Sequence, residues 1–396
     1  MKKTFVILSY WGPPSNSTKN MKKDYEFGHV TPIDAESGLP SILAAIAGIE
    51  PEASVIVVGV SNHKAYDLKT QQKVREITGP LRGKIDIKVF SYREMTRVRD
   101  ILTINGYGEL TKYVEPGNPS QVKNLGLLAA GIAGAEIIVL VDGSNLIDSK
   151  PSLDAAAEKI EKRLEDESII YGVLGFTRRK KYAGFPDAEG CLWDEENTVK
   201  ELYARAGGSG IPDGERVDFG GCMVLHRKLF EKVPFDPFIE SREDTDYMIS
   251  AKMNGAGITV CGKFLATETG EYDEGGEYDR FRKDAASFIH MRKKIRTQGE
   301  NPGGFTRVYI TALQPYPGKF LESGLIPRIR SSAAFLKSRR ADTQADGFSG
   351  KIDDILSKIE SDYEKEDDRF KKYGDFAGDW RRLINRLPDF KGKVFG

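Results

Sequence analysis

Two short acidic segments hold the residues best suited to chemistry. Asp142 lies in the run Val141–Asn145 (VDGSN), directly after an apolar segment. A carboxylate at this point could ligate a divalent cation, because such cations prefer hard oxygen ligands. The same residue types also form ordinary turns. One carboxylate alone leaves both interpretations open.

The second segment, residues 239–248 (IESREDTDYM), is the most acidic stretch of its region. If a helix begins near Asp244, the positive end of the helix dipole stabilises the carboxylates there and keeps them ionised. An ionised Asp244 could act as a general base toward a hydroxyl group. The alternative is helix capping by acidic residues. The four acids are Glu240, Glu243, Asp244 and Asp246.

The elements that must position these acids alternate between strand and helix. Continuous β-branched runs predict strands covered on both faces, hence an α/β fold with a largely parallel sheet between helices. Ligands of such sheets bind at the carboxyl ends of the strands. We predict strands at residues 4–8, 54–60, 85–90 and 137–141, and helices at residues 38–49, 69–78 and 124–133.

The chain beyond residue 150 completes the same sheet in this interpretation. A basic run, Arg178–Lys181, could meet an acidic acceptor or form a solvated loop. We predict helices at residues 152–167, 227–232 and 244–254, and strands at residues 168–176, 222–225 and 258–261.

Composition excludes several classes of protein. The 396 residues carry 59 basic and 59 acidic side chains, so zero net charge argues against a nucleic-acid binder. The short N-terminal apolar run fits a buried first strand better than a signal peptide, and residues 124–141, interrupted by Glu136, do not fit a membrane anchor. Three scattered cysteines predict no disulfide framework and no zinc site, and favour a cytoplasmic location: Cys191, Cys222 and Cys261.

One longer pattern carries a family resemblance. Residues 219–258 combine a glycine pair, a strand, a basic helix start, the motif F-D-P and the motif E-D-x-D opening a helix that ends K-M-x-G. With Lys123 and Asn124 before a predicted helix and Asp142 after the fourth strand, this pattern resembles the family 2-like nucleotide-sugar glycosyltransferases of GT-A fold. The resemblance covers about Lys3 to Phe288.

The resemblance implies a donor site and a cation. Asp142 matches the first acid of the family's metal motif, whereas Ser144 replaces the second, so Asp142 is the expected ligand of Mg²⁺ or Mn²⁺. Ser61 and Asn62 stand where relatives carry a base-binding acid, which leaves the donor nucleotide open. The residues expected to bind the donor are Ser9, Tyr10, Lys123, Asn124, Asp142 and Ser144.

The resemblance also implies the catalytic acids. Asp244 matches the base of inverting relatives, Glu243 would orient the acceptor, and Asp246 would cap the helix. The predicted activity is transfer of a sugar from a nucleoside diphosphate sugar to a hydroxyl acceptor, which is a small polyol, a glycan or a lipid-linked molecule. His290 lies near the position of a metal-binding histidine in some relatives, but its helical setting favours a surface or packing role.

Two other functions compete with this prediction. The missing acids suggest a degenerate GT-A module that binds nucleotide or glycan without catalysis. A sugar-phosphate nucleotidyltransferase ranks last, because the loop after the first strand lacks a glycine-rich basic signature.

The predicted domain division places a GT-A domain at residues 1–300 and a helical C-terminal extension at residues 301–396. Within the first, residues 1–150 form the nucleotide-sugar half and residues 151–300 the acceptor half. The basic segment Ile326–Arg340 in the extension could serve as an oligomerisation arm, an acceptor lid or a peripheral membrane contact, with a plain surface helix as the alternative.

Overall fold

The computed structural model describes residues 2–17, 23–25, 27, 30–180, 190–269, 277–299, 304–340 and 348–395. These residues form one sheet of nine strands. The strands are β1 (Lys3–Gly12), β2 (Thr31–Pro32), β3 (Ser54–Ser61), β4 (Asp86–Phe90), β5 (Ile137–Asp142), β6 (Asn145–Ile147), β7 (Ile170–Lys180), β8 (Glu215–His226) and β9 (Gly257–Glu268).

The helices of the described residues fall into two groups. Those that flank the sheet or follow its strands are α1 (Leu39–Ile49), α2 (Asp67–Thr78), α3 (Tyr92–Ile104), α4 (Pro119–Ala133), α5 (Lys150–Ala157), α6 (Glu195–Arg205), α7 (Arg227–Phe230), α8 (Glu243–Met253) and α9 (Glu277–Arg296). The C-terminal extension contributes α10 (Gly318–Leu321), α11 (Leu325–Arg340), α12 (Phe348–Glu364), α13 (Arg369–Ile384) and α14 (Leu387–Phe390).

The sheet has the order β4-β3-β1-β5-β8-β7-β9-β6, with β2 pairing to β1. Strands β4, β3, β1 and β5 are parallel neighbours, and β7 and β9 are also parallel. The antiparallel strand β8 joins the two parallel groups. The predicted α/β class with a mostly parallel sheet is therefore confirmed.

Helices cover both faces of the parallel strands, which explains their unbroken apolar runs. On one face, side chains of α3 and α4 pack with Val6, Leu8 and Ile56. On the other, side chains of α1, α2 and α5 pack with Phe5 and Ile7. Successive residues of β1 thus belong to two separate apolar layers.

The C-terminal helices pack into the body of the protein. Side chains of α11 and α12 share an apolar cluster with α9. Trp380 of α13 and Phe390 of α14 are fully buried in the cluster that contains α3 and α4. The predicted helical extension is confirmed. In the described ranges, no helix has both the length and the apolar character needed to cross a bilayer.

Several element boundaries differ from the prediction. Helix α4 begins at Pro119, where the Asn118 side chain accepts a hydrogen bond from the Gln121 N–H (3.0 Å), so Lys123 lies inside the helix. The helix predicted to reach residue 167 ends at Ala157, and Glu161 adopts a left-handed conformation (φ 65°).

The basic run Arg178–Lys181 also differs from one of its two predictions, that of a solvated loop. Arg178 and Arg179 lie in β7 and form ion pairs, so at these positions the solvated-loop interpretation was wrong. Lys181 lies outside the described residues.

Candidate active site

A cleft of about 940 Å³ opens where β1 and β5 end and α8 begins. Because β1 and β5 are parallel, with Leu8 paired to Asp142, their carboxyl ends meet at the same edge of the sheet. Most of the residues predicted to bind the donor, hold the cation or act in catalysis line this cleft. They are Ser9, Tyr10, Asp142, Ser144, Glu243 and Asp244.

Three of these acids surround one buried lysine. The ammonium nitrogen of Lys123 lies 2.9 Å from Glu243 Oε1 and 3.6 Å from Asp142 Oδ2, and it also donates to Asp244 Oδ1. The Lys123 side chain is only 2% exposed. We define Asp142, Glu243, Asp244 and Lys123 as the acid cluster. Its formal charge is minus two when all three acids are ionised.

The glycine pair of β8 creates the space that Asp244 needs. Gly220 and Gly221 have φ angles of 90° and 79°, a region that strongly favours glycine. A Cβ on Gly220 would lie 2.3 Å from Asp244 Oδ2, and one on Gly221 would lie 2.2 Å from Thr177 Oγ1. The Gly221 N–H donates to Asp244 Oδ2 at 2.6 Å. The glycines thus fix the position of the carboxylate.

The four charges shift one another's proton affinity. Burial, together with the charges of Asp244 and Glu243, raises the pKa of Asp142 to about 7 despite the nearby ammonium. Burial likewise raises the pKa of Asp244. For Glu243, Lys123 and hydrogen bonds outweigh burial, and its pKa is lowered. The three carboxylates outweigh burial at Lys123 and raise its pKa well above the ordinary value, so it stays charged.

The acid cluster also provides oxygen ligands. Ligand atoms of Asp142, Glu243 and Asp244 all lie within 4.8 Å of one another. Asn145 lines the same cleft, and its side-chain oxygen is buried with no hydrogen-bond partner among the described residues. Unlike the Asn145 side-chain oxygen, the Ser144 carbonyl oxygen has a partner: it accepts a hydrogen bond from the Thr269 N–H at 2.7 Å. This set of hard oxygen atoms suits Mg²⁺ or Mn²⁺.

Tyr10 and Asn124, two of the residues predicted to bind the donor, lie in different surroundings. The Tyr10 ring packs 5.1 Å from the Phe27 ring at the cleft, whereas Trp11 is fully buried in the core. Asn124 lies outside the cleft lining in the described part of the chain. Its amide donates to the Phe235 carbonyl and accepts from the Phe235 N–H, both at 2.8 Å. Asn124 therefore holds the loop that precedes α8.

Sequence reasoning missed several residues on the other wall of the cleft. Tyr316, from the C-terminal extension, donates from its hydroxyl to Glu195 Oε1 at 2.5 Å. Glu195 also pairs with Arg242, which has a left-handed backbone (φ 59°) directly before Glu243. Phe219, beside the glycine pair, packs 5.3 Å from the Tyr316 ring. Arg242 and Phe219 flank the recognised motifs, whereas Tyr316 had no comparable signal.

A second charged group lies beneath α8. Lys294 is fully buried and lies 2.5 Å from Asp246 Oδ2 and 3.0 Å from Asp236 Oδ2. His290 Nε2 lies 2.9 Å from the same Asp236 oxygen. Asp246 is therefore a buried ion-pair partner, and the prediction of a helix cap was wrong. His290 is buried, which matches packing and contradicts a surface role.

No family model matches the chain, and no curated protein matches it. Solved structures similar to it include a mannosyltransferase from Pyrobaculum calidifontis in complex with GDP-Man and Mn²⁺ (14% identity, TM-score 0.46, covering 98% of this chain and 85% of that one). Another is glucosyl-3-phosphoglycerate synthase from Mycobacterium tuberculosis in complex with Mn²⁺, UDP and phosphoglyceric acid (11% identity, TM-score 0.35, covering 73% of this chain and 78% of that one).

A third similar structure is the inositol-1-phosphate CTP transferase from T. maritima (16% identity, TM-score 0.31, covering 69% of this chain and 91% of that one). Both transferase classes considered from the sequence thus occur among the similar structures. At these identities and TM-scores the similarity assigns no activity to this chain. The function is therefore argued from the chain's own residues.

Proposed function

We propose that this protein transfers a sugar from a nucleoside diphosphate sugar to a hydroxyl acceptor, with inversion at the anomeric carbon. The observation that carries the proposal is the acid cluster. It brings Asp142, from the end of a parallel strand, together with Asp244, at the start of α8, in one cleft. One acid is thus available for a cation beside the diphosphate and another for the acceptor.

Asp244 is the proposed base. The acceptor oxygen attacks the anomeric carbon, the bond from that carbon to the diphosphate breaks with its electron pair leaving on the diphosphate, and the acceptor proton moves to Asp244. Although Lys123 and Gly221 donate to its two oxygens, a carboxylate has about four acceptor sites. The raised pKa of Asp244 favours proton uptake.

A divalent cation fits the residues present. The Asp142 side chain is 27% exposed, and its raised pKa reflects burial and an excess of negative charge that a cation would neutralise. Asp142, with the unpartnered oxygen of Asn145, would hold the ion. When bound, the ion would offset the charge that develops on the departing diphosphate. Lys123 is proposed to hold Glu243 and Asp244 in place, since these acids engage its ammonium.

The test measures nucleoside diphosphate released from a panel of donor sugars, with and without Mn²⁺. We expect Mn²⁺-dependent release that Asp142→Ala abolishes and that Asp213→Ala, an exposed acid outside the cleft lining, leaves unchanged. Tight nucleotide binding without release from any donor would instead support the binding-module alternative.

The role of Asp244 requires a separate measurement. Asp244→Asn should retain nucleotide binding, measured by the shift in melting temperature, and lose transfer. Normal transfer by this variant would assign the base to another acid or indicate a retaining mechanism.

A further inference from the structure

The wall of the cleft that residues 177–284 form carries more acidic than basic side chains. Among the described residues 177–284 that line the cleft, nine are acidic and five are basic. We infer that the acceptor is an uncharged polyhydroxylated molecule, a sugar or polyol without phosphate or carboxylate. This inference rests on the proposed transferase function and specifies its acceptor.

The cations of this wall already have partners within the chain. Arg179 Nε lies 3.0 Å from Asp218 Oδ2 and 3.4 Å from Glu268 Oε2. Arg216 pairs with Asp218 at 3.3 Å, and Arg242 pairs with Asp284 at 2.8 Å. The other two cations also have acidic partners, Asp284 for Arg280 and Asp279 for Lys283.

An anionic acceptor would meet two penalties here. A phosphate that binds one of these arginines would have to share the guanidinium with the carboxylate already paired to it, so one cation would face two anions in a partly buried site. The excess acids would also repel the phosphate. Arg178, another basic residue of β7, pairs with Asp148 (3.3 Å) and Glu215 (3.2 Å), so these acids already occupy its guanidinium.

Hydroxyl groups suit the same wall without displacing any ion. A hydroxyl donates to a carboxylate oxygen and accepts from a guanidinium N–H at the same time. Adjacent hydroxyls of a sugar can therefore bind across an existing pair such as Arg179 and Asp218. A polar wall of paired charges recognises a polyol by hydrogen bonds while its own ion pairs remain intact.

The aromatic ring of Phe219 lines the same cleft as the proposed base Asp244. Phe219 is partly exposed, and its ring packs against those of Phe176 (5.9 Å) and Tyr316 (5.3 Å). Phe219 precedes Gly221 by two residues of β8, a distance of about 7 Å along the strand. Gly221 in turn donates to Asp244. The apolar C–H face of a sugar ring can thus stack on Phe219 with a hydroxyl directed toward Asp244.

The experiment compares matched acceptors that differ only in their anionic group. Glucose is paired with glucose 6-phosphate and glucuronate, and glycerol with glycerol 3-phosphate. Binding is measured by saturation-transfer NMR in the presence of nucleoside diphosphate, and transfer by product formation. We expect the neutral member of each pair to be preferred by about tenfold or more. Equal or better use of the anionic members, or no binding of any neutral member, would overturn the inference.

Two variants test the assigned residues. Phe219→Ala should lower the affinity for neutral acceptors about tenfold and leave nucleotide binding unchanged. The control Phe238→Ala removes an exposed ring outside the cleft lining and should leave both affinities unchanged. The double variant Asp218→Asn/Glu268→Gln frees Arg179 and should shift relative preference toward the phosphorylated members. Unchanged affinity of Phe219→Ala for neutral acceptors would contradict the role of Phe219, and an unchanged preference of the double variant would contradict the role of the ion pairs.

The outcomes also separate this inference from the proposed function. If nucleotide raises the melting temperature and transfer occurs only to anionic acceptors, the transferase function stands and the acceptor inference is wrong. If no nucleoside diphosphate binds or is released, the proposed function is wrong, and the acceptor inference is wrong with it.

Discussion

Replacing Lys123 by methionine tests the acid cluster directly. The variant keeps the length of the side chain but removes a cation that is 2% exposed and contacts three carboxylates. Removing one partner from a buried ion pair costs about 3–5 kcal/mol. At about 2.1 cal/mol/K per residue, the 396 residues have an unfolding entropy of about 0.8 kcal/mol/K. We therefore expect the melting temperature to fall by about 4–6 °C.

The assay is differential scanning calorimetry at pH 8, where Lys123 is charged in the wild type because its pKa is raised. The matched control is Lys358→Met, an exposed lysine of α12, which should change the melting temperature by less than about 1 °C. The double variant Lys123→Met/Asp244→Asn should regain part of the loss, since it removes one of the uncompensated charges.

Two results would refute this reasoning. A melting temperature of Lys123→Met within about 1 °C of the wild type would show that the carboxylates do not depend on this ammonium. A double variant that is less stable than the single one would show that the loss came from packing and not from charge.

Three further predictions concern the cleft and the extension. Gly220→Ala should abolish transfer and lower the melting temperature more than Gly214→Ala. Both glycines have a positive φ, but only a Cβ on Gly220 would collide with Asp244. Asp218 has a pKa lowered to about 2 because Arg179 and Arg216 outweigh its burial, so it stabilises the fold above its unfolded pKa near 4 and loses this effect toward pH 2. At pH 6 the free energy of unfolding of the wild type should exceed that of Asp218→Asn by about 2 kcal/mol. Thermal melts at pH 6 and pH 3 should show that this difference shrinks at the lower pH. Trp380→Ala should lower the melting temperature by about 4–6 °C, measured against the exposed Leu68→Ala.

The sheet was predictable because its strands are locally encoded. The β-branched runs of β1, β3 and β5 are buried on both faces, and they identified these strands to within a few residues. Asp142 was placed at the cleft by a topological rule alone, since parallel strands bring their carboxyl ends to one edge. Glu243 was recognised as near a helix start, and α8 begins there.

The partners within the cluster were beyond the reach of local patterns. Lys123 and Asp244 are separated by 121 positions, and the lysine is buried in the middle of a helix whose start was predicted too late. Asp246 looked like one more acid of a helix cap, because its partner Lys294 lies 48 positions away. Tyr316 comes from a segment without any recognised motif.

The burial of α13 and α14 against α3 and α4 has a consequence for biosynthesis. Arg97 Nη1 of α3 donates to the Val394 carbonyl at 2.9 Å, and Val394 itself is fully buried. During translation, chains emerge and fold from the N-terminus. Helices α3 and α4 therefore expose an apolar face until α13 and α14 have been made near the end of the chain. A nascent chain stalled before residue 373 would present this face to chaperones and to other nascent chains.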